Sequence, residues 1–191
     1  KVVYYVNDTY DTETGRGFGK DEVFSPAGSN ILAGKNFVLN NHCFVGYFDG
    51  KTEVKYSLTI NHPATLVGTT SLEDSDKSDV VDVFNTSRYF EVTDNPIMYS
   101  KPDFETFTVD GMQILFTVYS PNGTHTAKAL LPDLEKMMRA QKAFLGSGNA
   151  NKKYTVMLYL SDMEKNDAKG FGALEHHTST TVVFPEAMPT D

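Results

Sequence analysis

Close to its C-terminal end the chain reads Gly172-Ala173-Leu174-Glu175-His176-His177-Thr178-Ser179-Thr180. A single carboxylate, Glu175, stands between very small residues and hydroxylated ones. On a rigid strand a desolvated carboxylate gives an ammonium a charge-assisted hydrogen bond worth about 1.5–3 kcal/mol. Gly172 and Ala173 carry little or no side chain, so an extended peptide can pair with the strand backbone there. Spacing alone also fits a plain exposed strand charge at Glu175. His176 and His177 are adjacent, and strand neighbours point to opposite faces, so the two cannot bind one metal ion.

Other chemistry is sparse. His42, His62 and His125 are isolated, and the chain has neither a His-x-x-x-His pair nor a His-Glu-x-x-His run. A catalytic zinc needs about three protein ligands, and the sequence does not assemble them. There is no Gly-x-Ser-x-Gly run. The only cysteine, Cys43, lies in an alternating apolar stretch and reads as a buried, inert thiol. The acidic stretch 71–79 reads as a solvated loop. Asp74, Asp76 and Asp79 are possible Ca²⁺ ligands, but the mid-loop Gly and distal Glu of an EF-hand are missing.

The 191 residues carry a net charge of −8, which disfavours nucleic acid and anionic membrane surfaces. No run is long and apolar enough for a membrane span. At this length one large domain, or one and a half small ones, can bury a real core.

The elements that must position Glu175 are mostly strands. Val54, Tyr56, Leu58 and Ile60 alternate with polar residues, as in a half-buried strand. Residues 104–109 and 112–120 alternate likewise, with Asp110-Gly111 as a hairpin turn between them. Residues 2–6, 36–48 and 64–70 are further strand candidates. After Asn122-Gly123 the pattern changes. Leu130, Leu134, Met137, Met138 and Phe144 follow helical spacing, with Pro132 in the first turn and Gly146 past the end. A Ser/Gly/Asn/Lys turn, an apolar strand at 154–160 and a polar loop at 161–169 lead into the Glu175 run. The expected fold is mainly β (α+β): an antiparallel sandwich or curved sheet over 1–122, then a strand-helix-strand part over 123–191.

The run Gly172-Ala173-Leu174-Glu175-His176 resembles the Gly-x-φ-Glu-Asn/His strand (φ apolar) of gluzincin aminopeptidases, in particular the glycyl aminopeptidase branch whose members often carry a PDZ domain. Asp94-Asn95-Pro96-Ile97, residues 107–112, Phe144-Leu145-Gly146 and Tyr154 add to it, so that it covers roughly 84–186. The resemblance implies the N-terminal part of a zinc aminopeptidase, with 123–191 opening a thermolysin-like domain. It also implies a substrate-binding strand at Gly172, Ala173, Leu174, Glu175 and His176, where Glu175 holds the substrate's α-ammonium. The zinc motif lies further along in that family. The chain by itself is therefore expected to hold no metal and no catalytic residue, and to be inactive, with zinc in the full-length parent. Implied partners are a peptide N-terminus and the rest of the catalytic domain, with self-association through an exposed helix face. Periplasm or cell envelope is the expected location, since such relatives are often bacterial and exported. Ala173 for the second Gly matches the related Gly-Ala-Met-Glu-Asn form, whereas His177-Thr178 departs from the usual Arg-Asn. The alternative is a non-enzymatic β-rich binding or adhesion module.

Overall fold

A computed structural model describes residues 1–14, 23–146, 151–164 and 166–189. Part of the turn expected after Gly146, at 147–150, and residue 165 of the polar loop lie outside them. Two short 3-10 helices, Tyr10–Thr12 and Ser25–Ala27, come first. Then follow β1 (Asn30–Leu32), β2 (Asn36–Leu39), α1 (Asn41–Phe44), β3 (Tyr56–Asn61), β4 (Val67–Thr69), β5 (Val81–Thr86), α2 (Tyr89–Thr93) and β6 (Ile97–Ser100). The rest is β7 (Phe104–Val109), β8 (Met112–Tyr119), α3 (Ala127–Leu145), β9 (Lys153–Ser161), β10 (Gly172–Glu175) and β11 (Ser179–Pro185).

These strands form a two-stranded sheet β3-β5, a four-stranded sheet β1-β2-β6-β4 and a five-stranded sheet β10-β11-β9-β8-β7. In the last, β8, β9 and β11 run parallel, and β7 and β10 run antiparallel at the two edges. The chain thus adopts the expected β-rich α+β fold. Asp110 and Gly111 both take positive φ, 46° and 79°, and close the β7-β8 hairpin as expected. Residue 122, the expected domain boundary, lies between β8 and α3, and strands of the five-stranded sheet stand on both sides of it.

The layers stack as small sheet, four-stranded sheet, five-stranded sheet, helix. Leu66, Phe84, Ile97 and Tyr99 fill the first interface. Val38 and Met98 meet Met157, Tyr159 and Val183 in the second. Phe116, Val118, Ala127, Val156 and Leu160 form the third, under α3. β9 is therefore covered on both faces, which explains its nearly unbroken apolar run.

Several sequence expectations are corrected. Residues 2–6 form no strand, and Tyr5 is 96% exposed. The candidate 36–48 ends as a strand at Leu39, because the Asn40 side chain accepts the His42 N–H and caps α1. Cys43 sits on that short helix and is exposed, not buried. The helix expected from 130 begins at Ala127, capped by Thr126 Oγ1 on the Ala129 N–H, so Pro132 lies inside it. Its C-terminal end leaves Phe144 90% exposed. In the acidic loop, Asp74 Oδ1 accepts the N–H groups of Asp76 and Val83, and Asp76 Oδ1 that of Ser78, so these carboxylates shape turns. No helix among the described residues is long and apolar enough to cross a membrane.

Two outcomes follow from this packing. Met157, 1% exposed in the middle of the stack, is expected to cost about 2–5 kcal/mol when changed to Ala, read by urea denaturation. Glu186, just after β11, accepts from Ser120 Oγ, from the Asn122 N–H at 3.1 Å and from Asn122 Nδ2 at 2.6 Å. Burial works to raise its pKa, but these hydrogen bonds outweigh burial and leave it below the ordinary 4.5. A carboxyl depressed on folding stabilises above its unfolded pKa and loses that contribution as pH falls through the folded one. Stability should therefore decline below pH 4.5, and more shallowly in Glu186→Gln, in denaturation series at stepped pH.

Candidate functional site

The Gly172–Glu175 run folds as β10, whose single strand neighbour among the described residues is β11. Gly172 pairs with Val183, Ala173 with Val182, Leu174 with Thr181 and Glu175 with Thr180. The pleat therefore sends Ala173 and Glu175 to one face, both exposed, and Gly172 and Leu174 to the other, both half-buried. Among the described residues no strand lies beside the outer edge of β10, the position at which an added chain pairs with a sheet.

On the exposed face, Glu175 stands close enough to Tyr154 that burial, and then the Glu175 charge, raise the phenol's pKa. Tyr154 donates its hydroxyl to the Ser179 carbonyl at 3.1 Å, which fixes the ring beside the start of β11. Phe171, 61% exposed, stacks on Phe184 with centroids 6.1 Å apart. An exposed carboxylate, a methyl-sized neighbour and an apolar flank thus share one sheet edge.

Both ends of β10 are tied to the first hundred residues. Ahead of the strand, Glu13 Oε2 accepts the Lys169 N–H at 2.8 Å, the Gly170 N–H at 3.1 Å and the Ser25 hydroxyl at 2.6 Å. Behind it, Asp94 reaches His176 and His177, Asn95 reaches Thr178, and Ser71 Oγ donates to the Thr178 carbonyl at 2.5 Å. His176 is therefore not part of the strand; its ring turns toward Asp94. The sequence pattern marked 94–97 only as part of a resemblance. A half-buried acid three residues before a strand, such as Asp94, has no local signal for its distant partner.

Gly172 is required for a reason different from peptide access. Its φ is 145°, a region that side chains rarely adopt, and a Cβ would come within 2.9 Å of the Phe24 ring. Gly172→Ala is expected to destabilise by about 1–3 kcal/mol, measured by chemical denaturation, through strain at the first residue of β10.

Among the described residues no three His, Cys, Asp or Glu side chains converge to hold a metal ion, so these residues do not fit a zinc site. Cavities among the described residues lie away from β10. One of about 480 Å³ is lined by His62, Asp82 and Lys153, among others, and one of about 430 Å³ by Tyr4, Tyr47 and Tyr89.

The aminopeptidase N family protein from Idiomarina loihiensis superimposes with a TM-score of 0.72 at 18% identity, over 86% of this chain and 28% of its own. An M1 zinc metallopeptidase from Deinococcus radiodurans, solved with a Tyr-Ser-Ala substrate, gives a TM-score of 0.45 at 12% identity, over 77% of this chain and 35% of its own. This chain thus spans about a third or less of the length of each. No curated protein matches. The model of the Peptidase M61 N-terminal domain family matches residues 1–101, largely the part where the motif resemblance was weakest. With more than half of its length so matched, the chain belongs to the Peptidase M61 N-terminal domain family.

Proposed function

We propose that this chain is the N-terminal part of a zinc-dependent aminopeptidase-like metallopeptidase, in which β10 binds the substrate and Glu175 holds its α-ammonium. The observation that carries this reading is the placement of Glu175: exposed, on a clamped strand whose outer edge has no strand beside it among the described residues, in a member of a peptidase family. An extended peptide adding to the β10 edge would run alongside Ala173, where a larger side chain would obstruct it. Its terminal amine would then meet the Glu175 carboxylate, and that contact would fix which peptide bond is first from the end. Substrate binding and orientation are the roles assigned to these residues. The residues described form no zinc site, so zinc belongs in this reading to the rest of the parent protein. The exposed face bearing Glu175, Phe171 and the end of α3 is where that remainder would pack. The division into a β domain over 1–122 and the opening of a catalytic domain from 123 belongs to the same reading.

The test uses the full-length protein and pairs of amino-acid or dipeptide anilides with free and N-acetylated amines. Glu175→Gln is expected to lower kcat/KM for the free amines by at least about tenfold, and to leave the acetylated ones nearly unchanged. An unaltered ratio between the two substrate classes would falsify the anchor role. The fragment 1–191 with added zinc is expected to show no turnover; turnover would overturn the reading that the chain supplies only binding elements. A full-length protein with no peptidase activity on any of these substrates would favour a binding module instead.

A further inference from the structure

The turn after β10 is held by a part of the molecule distant in sequence. Asp94 ends α2, and both its carboxylate oxygens face the turn. Oδ1 lies 3.2 Å from His176 Nδ1, and Oδ2 accepts the His177 N–H at 2.8 Å. Asn95 extends the grip: its Oδ1 accepts the Thr178 hydroxyl at 2.8 Å, and its Nδ2 donates to the Glu91 carbonyl at 2.8 Å.

This gripping segment is itself fixed. Asn41, 1% exposed, donates through Nδ2 to the carbonyls of Val92 at 3.0 Å and Asn95 at 2.9 Å. Asp94 therefore sits on a short helix whose end is pinned from below, not on a free loop. The His176 side chain is 7% exposed and that of Asp94 18%, so water competes little for their contact. Glu175 is the residue before His176. One peptide unit separates the carboxylate-bearing residue from two separate bonds to Asp94.

From these contacts we infer that Asp94 is a positioning residue for Glu175. It sets the height and register of the Glu175 carboxylate at the end of β10 and touches no substrate itself. The lock rests on geometry alone; its consequence for substrate rests on the reading of Glu175 as the amine anchor. A strand of four residues with one strand neighbour among the described residues has little of its own to hold it in place, so a hold at its exit governs where its last side chain lies.

The experiment compares Asp94→Ala and Glu175→Gln in the full-length protein. It reads amide hydrogen exchange of the segment 172–180 and the preference for free-amine over N-acetylated anilides. In Asp94→Ala, exchange of that segment is expected to rise by about tenfold or more, while β8 and β9 keep their protection. The free-amine preference should fall by about tenfold, through KM more than kcat. Unchanged exchange in the hairpin overturns the lock. Faster exchange with an intact preference, where Glu175→Gln abolishes that preference, overturns the positioning role. If Glu175→Gln leaves the preference intact, the anchor reading is what fails, and hairpin exchange alone then upholds or overturns the lock. Should Asp94→Ala fail to fold, Asp94→Asn keeps an acceptor for the His177 N–H, removes the charge facing His176, and carries the same two readouts.

Discussion

Two carboxylates from the first hundred residues, Glu13 and Asp94, take hold of the two ends of β10, and the geometry around Glu175 depends on them. An edge strand this short has one ladder of backbone bonds to keep it in place. Glu13 through Oε2 and Asp94 through Oδ2 accept N–H groups of the segment each holds, and these hydrogen bonds offset part of the cost of burial. The cost of misplacing either end is a pair of unmatched polar groups in a sparsely hydrated seam, and this makes the strand position sharply defined.

That arrangement is possible because the five-stranded sheet serves two layers at once. Its β9 strand buries Val156 and Leu160 beneath α3, and Met157 and Tyr159 against the four-stranded sheet. Tyr10 and Tyr119 pack on the Tyr159 ring at 5.2 and 5.1 Å, and Tyr159 donates its hydroxyl to the Asp167 carboxylate at 2.5 Å. The N-terminal segment, the sheet and the loop leading to β10 thus share one interface. The contact of Glu13 with Gly170 is an extension of that interface to the sheet edge.

The two faces of β10 differ as a result. One is pressed against Phe24 and the 3-10 helix at Ser25–Ala27, and this side demands glycine at 172. The other is open and carries Glu175 and Ala173, beside Tyr154 and the Phe171–Phe184 pair. Closed on one side and open on the other, β10 presents its Ala173 and Glu175 side chains to solvent.

The sequence by itself determined what depends on local periodicity. Alternation marked β7 and β8, paired positive-φ residues marked their hairpin, and an apolar run marked β9. The Gly172–Glu175 run was marked as a strand by its resemblance to the Gly-x-φ-Glu-Asn/His strand of gluzincin aminopeptidases, and it folds as β10. Tertiary structure decided the rest. Residues 2–6 are an apolar run of strand-forming residues but lack a partner in the described structure, and a strand exists only when paired. Cys43 is exposed because the Asn40 side chain caps a helix turn where alternation pointed to a strand. The packing of Phe24 against Gly172, 148 positions later in the chain, has no local signal in the sequence. Asp94 and His176 are 82 residues apart, and nothing local to either announces the other. Periodicity reports which side of an element is apolar; which distant carboxylate meets that element is settled only when the layers pack.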